Sequence, residues 1–133
     1  MTAQTIYHEW DRALANNDKP ALLALYDENA TIESPLIPHL LKQPTGICQG
    51  KTAIAELINE VSKHKPKLRR YHRTPCLQHD NLIMWEYPRQ TPEGEQMDFV
   101  EVMELNDKGL IQKHRVYWGW RGFQVLMEDE YHA

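Results

Sequence analysis

Glu101 and His114 are the two residues of this 133-residue chain best placed by type and spacing to do chemistry. They lie in MDFVEVMELNDKGLIQKHRVYWGW, residues 97–120, which reads as two alternating strands about a turn at Asn106-Asp107-Lys108-Gly109. On the first strand Met97, Phe99, Glu101, Met103 and Leu105 share a face. All but Glu101 are apolar, so that face should turn to the core and carry Glu101 with it. On the second strand Leu110, Gln112, His114, Val116, Trp118 and Trp120 share the greasier face. A carboxylate and an imidazole on the core faces of neighbouring strands are costly to bury unless they pair or work. Together they supply a general acid or base and a group that holds or relays its proton, so both are candidate catalytic residues. A buried acid satisfied by His114, Arg115 or a tyrosine is the structural alternative.

The register decides how the two meet. If Asn106 and Gly109 close the turn, Glu101 lies directly opposite His114 and the two apolar faces coincide. If Gly109 takes a left-handed bulge position in a three-residue loop, the pairing slips by one and Glu101 faces Arg115. The first register is preferred because it keeps Met97, Phe99, Val116 and Trp118 on one face.

Around this pair, Trp10, Tyr26, Ser34, Trp85, Phe99 and Trp118 are the candidate substrate-binding residues. Plain core packing is the competing account of the tryptophans, and a turn residue before Pro35 that of Ser34. Seven histidines, His8, His39, His64, His72, His79, His114 and His132, form no HxxxH or HxH pair, and neither cysteine joins a ligand spacing. No metal site is expected. No GxGxxG, P-loop or GxSxG occurs, and no cofactor is expected. The outward parity holds Val100 and Val102, with Ile111 and Tyr117 on the adjacent strand. That apolar patch predicts a homodimer through the outer face of the sheet.

The elements that must position these groups fit one domain spanning residues 1–133. Formal net charge is −4, and the densest basic run, Lys63 to Arg73, is short, so nucleic acid is not an expected partner. Two cysteines, Cys48 and Cys76, make no disulfide framework, and a reducing cytoplasm is expected. The N-terminus has no apolar core of a leader, and no stretch approaches a membrane span.

Residues 3–16 read as a helix with Ile6, Trp10, Ala13 and Leu14 on one face. Asp18 can cap a second helix, with Pro20 in its first turn, carrying Leu22, Leu23, Leu25 and Tyr26. A short strand follows from Ala30 to Ser34. Residues 35–50, with three prolines and two glycines, read as a loop. A third helix spans 51–63. Strands are expected at 68–79, 82–90, 95–106 and 110–120, then a short C-terminal helix with Phe123, Val125, Leu126 and Tyr131. Helices first and consecutive strands last indicate an α+β fold, helices covering one face of a mostly antiparallel sheet.

Several ordered motifs, WDRALANND (Trp10–Asp18), LYDENATIESP (Leu25–Pro35), GKTAI (Gly50–Ile54) and Phe99–Trp120, resemble the nuclear-transport-factor-2-like superfamily, especially its SnoaL-like branch. The resemblance implies a cone of three helices on a curved sheet, an internal pocket, and frequent dimers through the sheet's outer face. Compared with the ketosteroid isomerases of that superfamily, Glu101 falls on the oxyanion-hole carboxyl. Ser34 stands at the proton-shuttling aspartate, Trp10 at the oxyanion-hole tyrosine, and Tyr26 at an aromatic position. The absent base and phenol argue against the usual steroid isomerisation. The SnoaL-like polyketide cyclases are a less contradicted match, with a metal-free pocket in which a carboxylate takes a proton from carbon. The expectation is metal-free and cofactor-free acid–base isomerisation or cyclisation of a small hydrophobic carbonyl or ring-containing molecule. A non-catalytic binder of a small apolar ligand, or a dimerisation module, is the alternative.

Overall fold

The computed structural model describes residues 2–63, 75–90 and 96–128. Its elements run α1 (Ala3–Ala15), α2 (Lys19–Leu23), β1 (Tyr26–Glu33), α3 (Leu36–Leu41), β2 (Ile47–Gln49), α4 (Lys51–Lys63), β3 (Leu77–His79), β4 (Leu82–Gln90), β5 (Gln96–Leu105), β6 (Ile111–Trp118) and α5 (Trp120–Met127). The six strands form one curved, unclosed sheet in the order β2-β1-β6-β5-β4-β3. Every pairing is antiparallel except β1 with β6. The α+β architecture expected from the order of elements is the one observed. Five helices are present among the described residues rather than the three of the expected cone.

Local chemistry explains most of the boundaries. The Thr2 hydroxyl accepts the Thr5 N–H at 3.1 Å and caps α1, whose buried residues Ile6, Tyr7, Trp10 and Ala13 recur every three or four positions. Asp18 accepts the Ala21 N–H at 3.2 Å and caps α2, with Pro20 in its first turn. This second helix stops at Leu23, however, and Tyr26 opens β1 instead of ending a helix. Pairing wins there: Ile111 donates its N–H to the Leu25 carbonyl at 2.8 Å, and Tyr26 lies beside Ile111 across the parallel ladder.

The expected loop at 35–50 contains α3 and β2. Pro38 sits in the first turn of α3, where its missing N–H has no helical partner to lose, so its presence does not forbid the helix. The strand expected at 68–79 is described only as β3, and its earlier part lies outside the described residues, as does Tyr131 of the C-terminal helix.

The β5–β6 hairpin carries the main correction. Glu101 pairs with Val116 and Met103 with His114, so the preferred register is displaced by two residues. Gly109 has φ +77°, the left-handed conformation of the competing three-residue loop. That loop slips the pairing by one at Leu105↔Ile111. A second irregularity between Glu104 and Leu105 leaves Gln112 as an extra residue on β6 and adds another slip. Two slips restore parity, so Glu101 and His114 stay on one face as diagonal neighbours. Before the bulge it is Ile111 that faces the core, fully buried, while Gln112 is exposed. The expected outer apolar patch is therefore smaller: Ile111 is in the core and Val102 is 7% exposed, leaving Val100 half-buried and Tyr117 exposed.

Deleting Gln112 tests this account. With the loop retained, Ile111 and His114 can no longer both face inward. The variant should lose at least about 3 kcal/mol, the order of exposing one isoleucine and unpairing one buried acid. Urea unfolding of the two proteins measures it; an unchanged midpoint would remove the bulge from its role.

Candidate functional site

Five side chains from five elements form one buried chain of hydrogen bonds. Trp10 comes from the core face of α1, Tyr26 from the start of β1, His114 from β6, Glu101 from β5 and Tyr87 from β4. The Trp10 indole Nε1 donates to the Tyr26 hydroxyl at 3.2 Å. The Tyr26 hydroxyl lies 2.9 Å from His114 Nδ1, and His114 Nε2 lies 2.5 Å from Glu101 Oε1. The Tyr87 hydroxyl donates to Glu101 Oε2 at 2.6 Å. Glu101 is 3% exposed and His114 is 4% exposed, so water does not compete for either group.

Donor and acceptor roles follow from one end. An indole N–H can only donate, so it takes a lone pair of Tyr26. The buried Tyr26 proton is satisfied when it is directed to His114 Nδ1, which then acts as an acceptor. His114 therefore carries its proton on Nε2 and donates it to Glu101. This tautomer is assigned from the network. Every donor in the chain points toward Glu101, whose two oxygens each receive one. Burial holds the Tyr26 phenol well above the ordinary tyrosine range; the Trp10 hydrogen bond opposes this and the nearby Glu101 charge adds to it.

The chain forms part of the wall of a cavity of about 90 Å³. Trp10, Tyr26, Tyr87, Glu101 and His114 all line it, and so do Ser34, Phe99 and Trp118. The remainder is apolar, including Leu57, Ile58 and Val61 from α4 and Val116 from β6. The Phe99 and Trp118 rings lie 4.6 Å apart between centroids and form one continuous patch. The Ser34 hydroxyl accepts the Leu36 N–H at 3.2 Å at the head of α3, retaining its own proton to donate.

Of the residues expected to bind substrate, Trp85 alone does not line the cavity. It packs behind it, 1% exposed, with its ring 4.8 Å from Tyr7 and 5.4 Å from Trp10 between centroids. It thus wedges α1 onto β4 and fixes where the Trp10 indole points. Tyr87 is the group the sequence reading passed over. Its signal was present: it lies two residues beyond Trp85, hence on the same face, and Trp85 pairs with Glu101. Among the described residues no group of three or more His, Cys, Asp or Glu side chains could hold a metal, and no helix is long and apolar enough to cross a membrane.

No family model matches this sequence, and none of the curated proteins matches it. Solved structures do. A SnoaL-like protein of unknown function from Burkholderia thailandensis is 21% identical, with a TM-score of 0.73 over 88% of this chain and 93% of that one. A steroid delta-isomerase from Pseudomonas aeruginosa is 18% identical, with a TM-score of 0.73 over 96% of this chain and 87% of that one. The chain has the NTF2-like fold. A third similar structure is that of the epoxide hydrolase/cyclase-like enzyme SalBIII, described for pyran ring formation in the polyether salinomycin. It is 22% identical, with a TM-score of 0.65 over 89% of this chain and 91% of that one. NTF2-like neighbours thus include enzymes of isomerase and cyclase type beside proteins of unknown function.

Tyr26→Phe removes the hydroxyl shared by Trp10 and His114 and should cost about 1–3 kcal/mol, the usual penalty for leaving buried polar groups without their partner. The raised phenol also sets a sign with pH. Folded Tyr26 binds its proton more tightly than the unfolded chain does. Its contribution is complete below the ordinary tyrosine value of about 10 and falls away as pH rises beyond it. Urea unfolding of wild type and Tyr26→Phe from neutral to alkaline pH should show the difference between them shrinking above that point.

Proposed function

We propose that this protein is a metal-free, cofactor-free acid–base isomerase or cyclase acting on a small hydrophobic carbonyl or ring-containing molecule. The observation that carries this reading is a carboxylate in the wall of a mostly apolar cavity, oriented by two donors, one of them a fixed imidazole. Glu101 and His114 then have unequal parts. Both ring nitrogens of His114 are engaged, Nδ1 by Tyr26 and Nε2 by Glu101, so His114 has no nitrogen left to meet a substrate. It acts as a positioning residue. Glu101 is the proton acceptor, since each of its oxygens keeps a further lone pair beyond the hydrogen bond it accepts.

The chemistry that fits is removal of a proton from carbon next to a carbonyl, leaving an enolate, with the proton held as the Glu101 carboxylic acid. Return of that proton to a second carbon completes an isomerisation. Attack of the enolate carbon on a carbonyl within the same molecule forms the new ring bond and leaves an alkoxide, which takes the proton back from Glu101 and completes a cyclisation. The negative charge that develops on the substrate oxygen needs a hydrogen-bond donor. The Ser34 hydroxyl, a wall group that accepts from Leu36 and keeps its own proton, suits that role. The apolar surface of Phe99, Val116 and Trp118 excludes water, which keeps the proton on Glu101 until it is returned.

A satisfied network is also what a structural core would contain, and this favours the non-catalytic ligand binder as the second reading. Glu101→Gln separates the two. The amide is nearly isosteric but cannot take a proton from carbon. On the catalytic reading the variant keeps its melting temperature within a few degrees and loses turnover of an activated carbonyl compound by at least about 100-fold. On the binder reading the variant binds as before and wild type shows no turnover to lose. Screening both proteins against small cyclic ketones by solvent-deuterium exchange at the α-carbon, read by NMR, decides it. Equal exchange rates in wild type and variant would end the acid–base proposal.

A further inference from the structure

The depth of the cavity depends on a contact outside it. Trp118 lines the cavity from β6, and Gly122, in the first turn of α5, lies against its indole. A Cβ placed on Gly122 would stand 2.7 Å from Trp118 Cε3, well inside contact distance, with further approaches of 3.4 and 3.5 Å to the same side chain. The indole also lies against Phe99, with centroids 4.6 Å apart. Trp118 thus keeps its place in the cavity wall only because residue 122 carries no methyl group. The cavity that remains, about 90 Å³, is smaller than the roughly 150 Å³ apolar cavity that accepts benzene. That volume suits a small ring rather than a fused-ring nucleus such as a steroid.

We infer that Trp118, seated on Gly122, is the specificity-determining residue of this site and restricts it to single-ring or similarly small substrates. The inference rests on the proposed reading only in taking this cavity as the substrate site. It does not depend on Glu101 being catalytic. Gly122 supports it independently of the cavity wall. Alanine is the better helix former, so an unhindered Gly122→Ala change in α5 would raise the melting temperature. If the indole is seated as described, the same change displaces Trp118 from its seat and disturbs the cavity wall that it forms.

The experiment is a binding measurement, by calorimetry, of phenol and 2-naphthol to the full chain. Naphthol is the more hydrophobic probe and is favoured by any unrestricted apolar surface, so a preference for phenol is a demanding result. Wild type should bind phenol at least about tenfold more tightly than 2-naphthol. Trp118→Ala should reverse the order, and Gly122→Ala should weaken phenol by about tenfold without gaining naphthol. Trp118→Leu replaces Trp118→Ala if the latter does not fold. Naphthol binding to wild type as tightly as phenol would overturn the inference. So would unchanged affinities in the Trp118 variant, or no binding of either probe to either protein. Glu101→Gln should keep the same size preference, so a failed acid–base reading and a failed size restriction give different results.

Discussion

A carboxylate and an imidazole meeting at 2.5 Å away from water are the constraint to which the rest of this structure answers. Neither group can be buried alone without a large desolvation cost. Each needs its remaining polar atoms satisfied, and the molecule supplies the partners from separate elements: Tyr87 for the second carboxylate oxygen, Tyr26 for the second ring nitrogen, and Trp10 to orient Tyr26. Trp85, wholly inside the core, holds the helix that carries Trp10. The polar chain and the aromatic packing are therefore one arrangement. Removing a partner anywhere along it changes what the carboxylate sees.

The hairpin shows how a local irregularity serves that constraint. A regular antiparallel ladder from the three-residue loop would have put Glu101 and His114 on opposite faces. The extra residue Gln112 corrects the face while leaving Ile111 in the core ahead of it. Glu104 and Arg115 form an ion pair elsewhere on these same strands, holding Glu104 below and Arg115 above their ordinary proton affinities. That pair belongs to the half-exposed outer side, so the charged residues of β5 and β6 separate cleanly by face.

Much of this was legible in the sequence because period-two alternation survives small errors in register. Faces follow parity, and parity placed Glu101, His114, Phe99 and Trp118 together even though the pairing was displaced by two residues. The partner relationships were not legible, since a bulge leaves no mark in composition: Gln112 looks like any exposed strand residue. Tyr87 was not legible as a partner because it stands opposite Phe99 and reaches Glu101 only diagonally across the ladder. The helix at Leu36–Leu41 was hidden by Pro38, a residue that breaks helices except in their first turn. Tyr26 was drawn into a helix by its leucine-rich neighbours, whereas its strand conformation is imposed by β6, far along the chain. The NTF2-like resemblance supplied the cone and the pocket. It did not supply the wiring of the site, because Trp10 and Ser34 replace the groups that the comparison with ketosteroid isomerases would have used.

The parallel pairing of β1 with β6 has a consequence for the order in which the site is assembled. Glu101 and His114 are 13 residues apart and lie on one hairpin, a unit that closes within microseconds once its strands exist. Tyr26 and His114 are 88 residues apart, so their contact waits for the longest closure in the sheet. During synthesis the N-terminal helices and β1 emerge first and have no strand beside which to place Tyr26. The acid–imidazole pair is thus the early, local part of the site. The tyrosine that selects its tautomer is the late part, and the chain acquires a defined proton arrangement only in the last stage of folding.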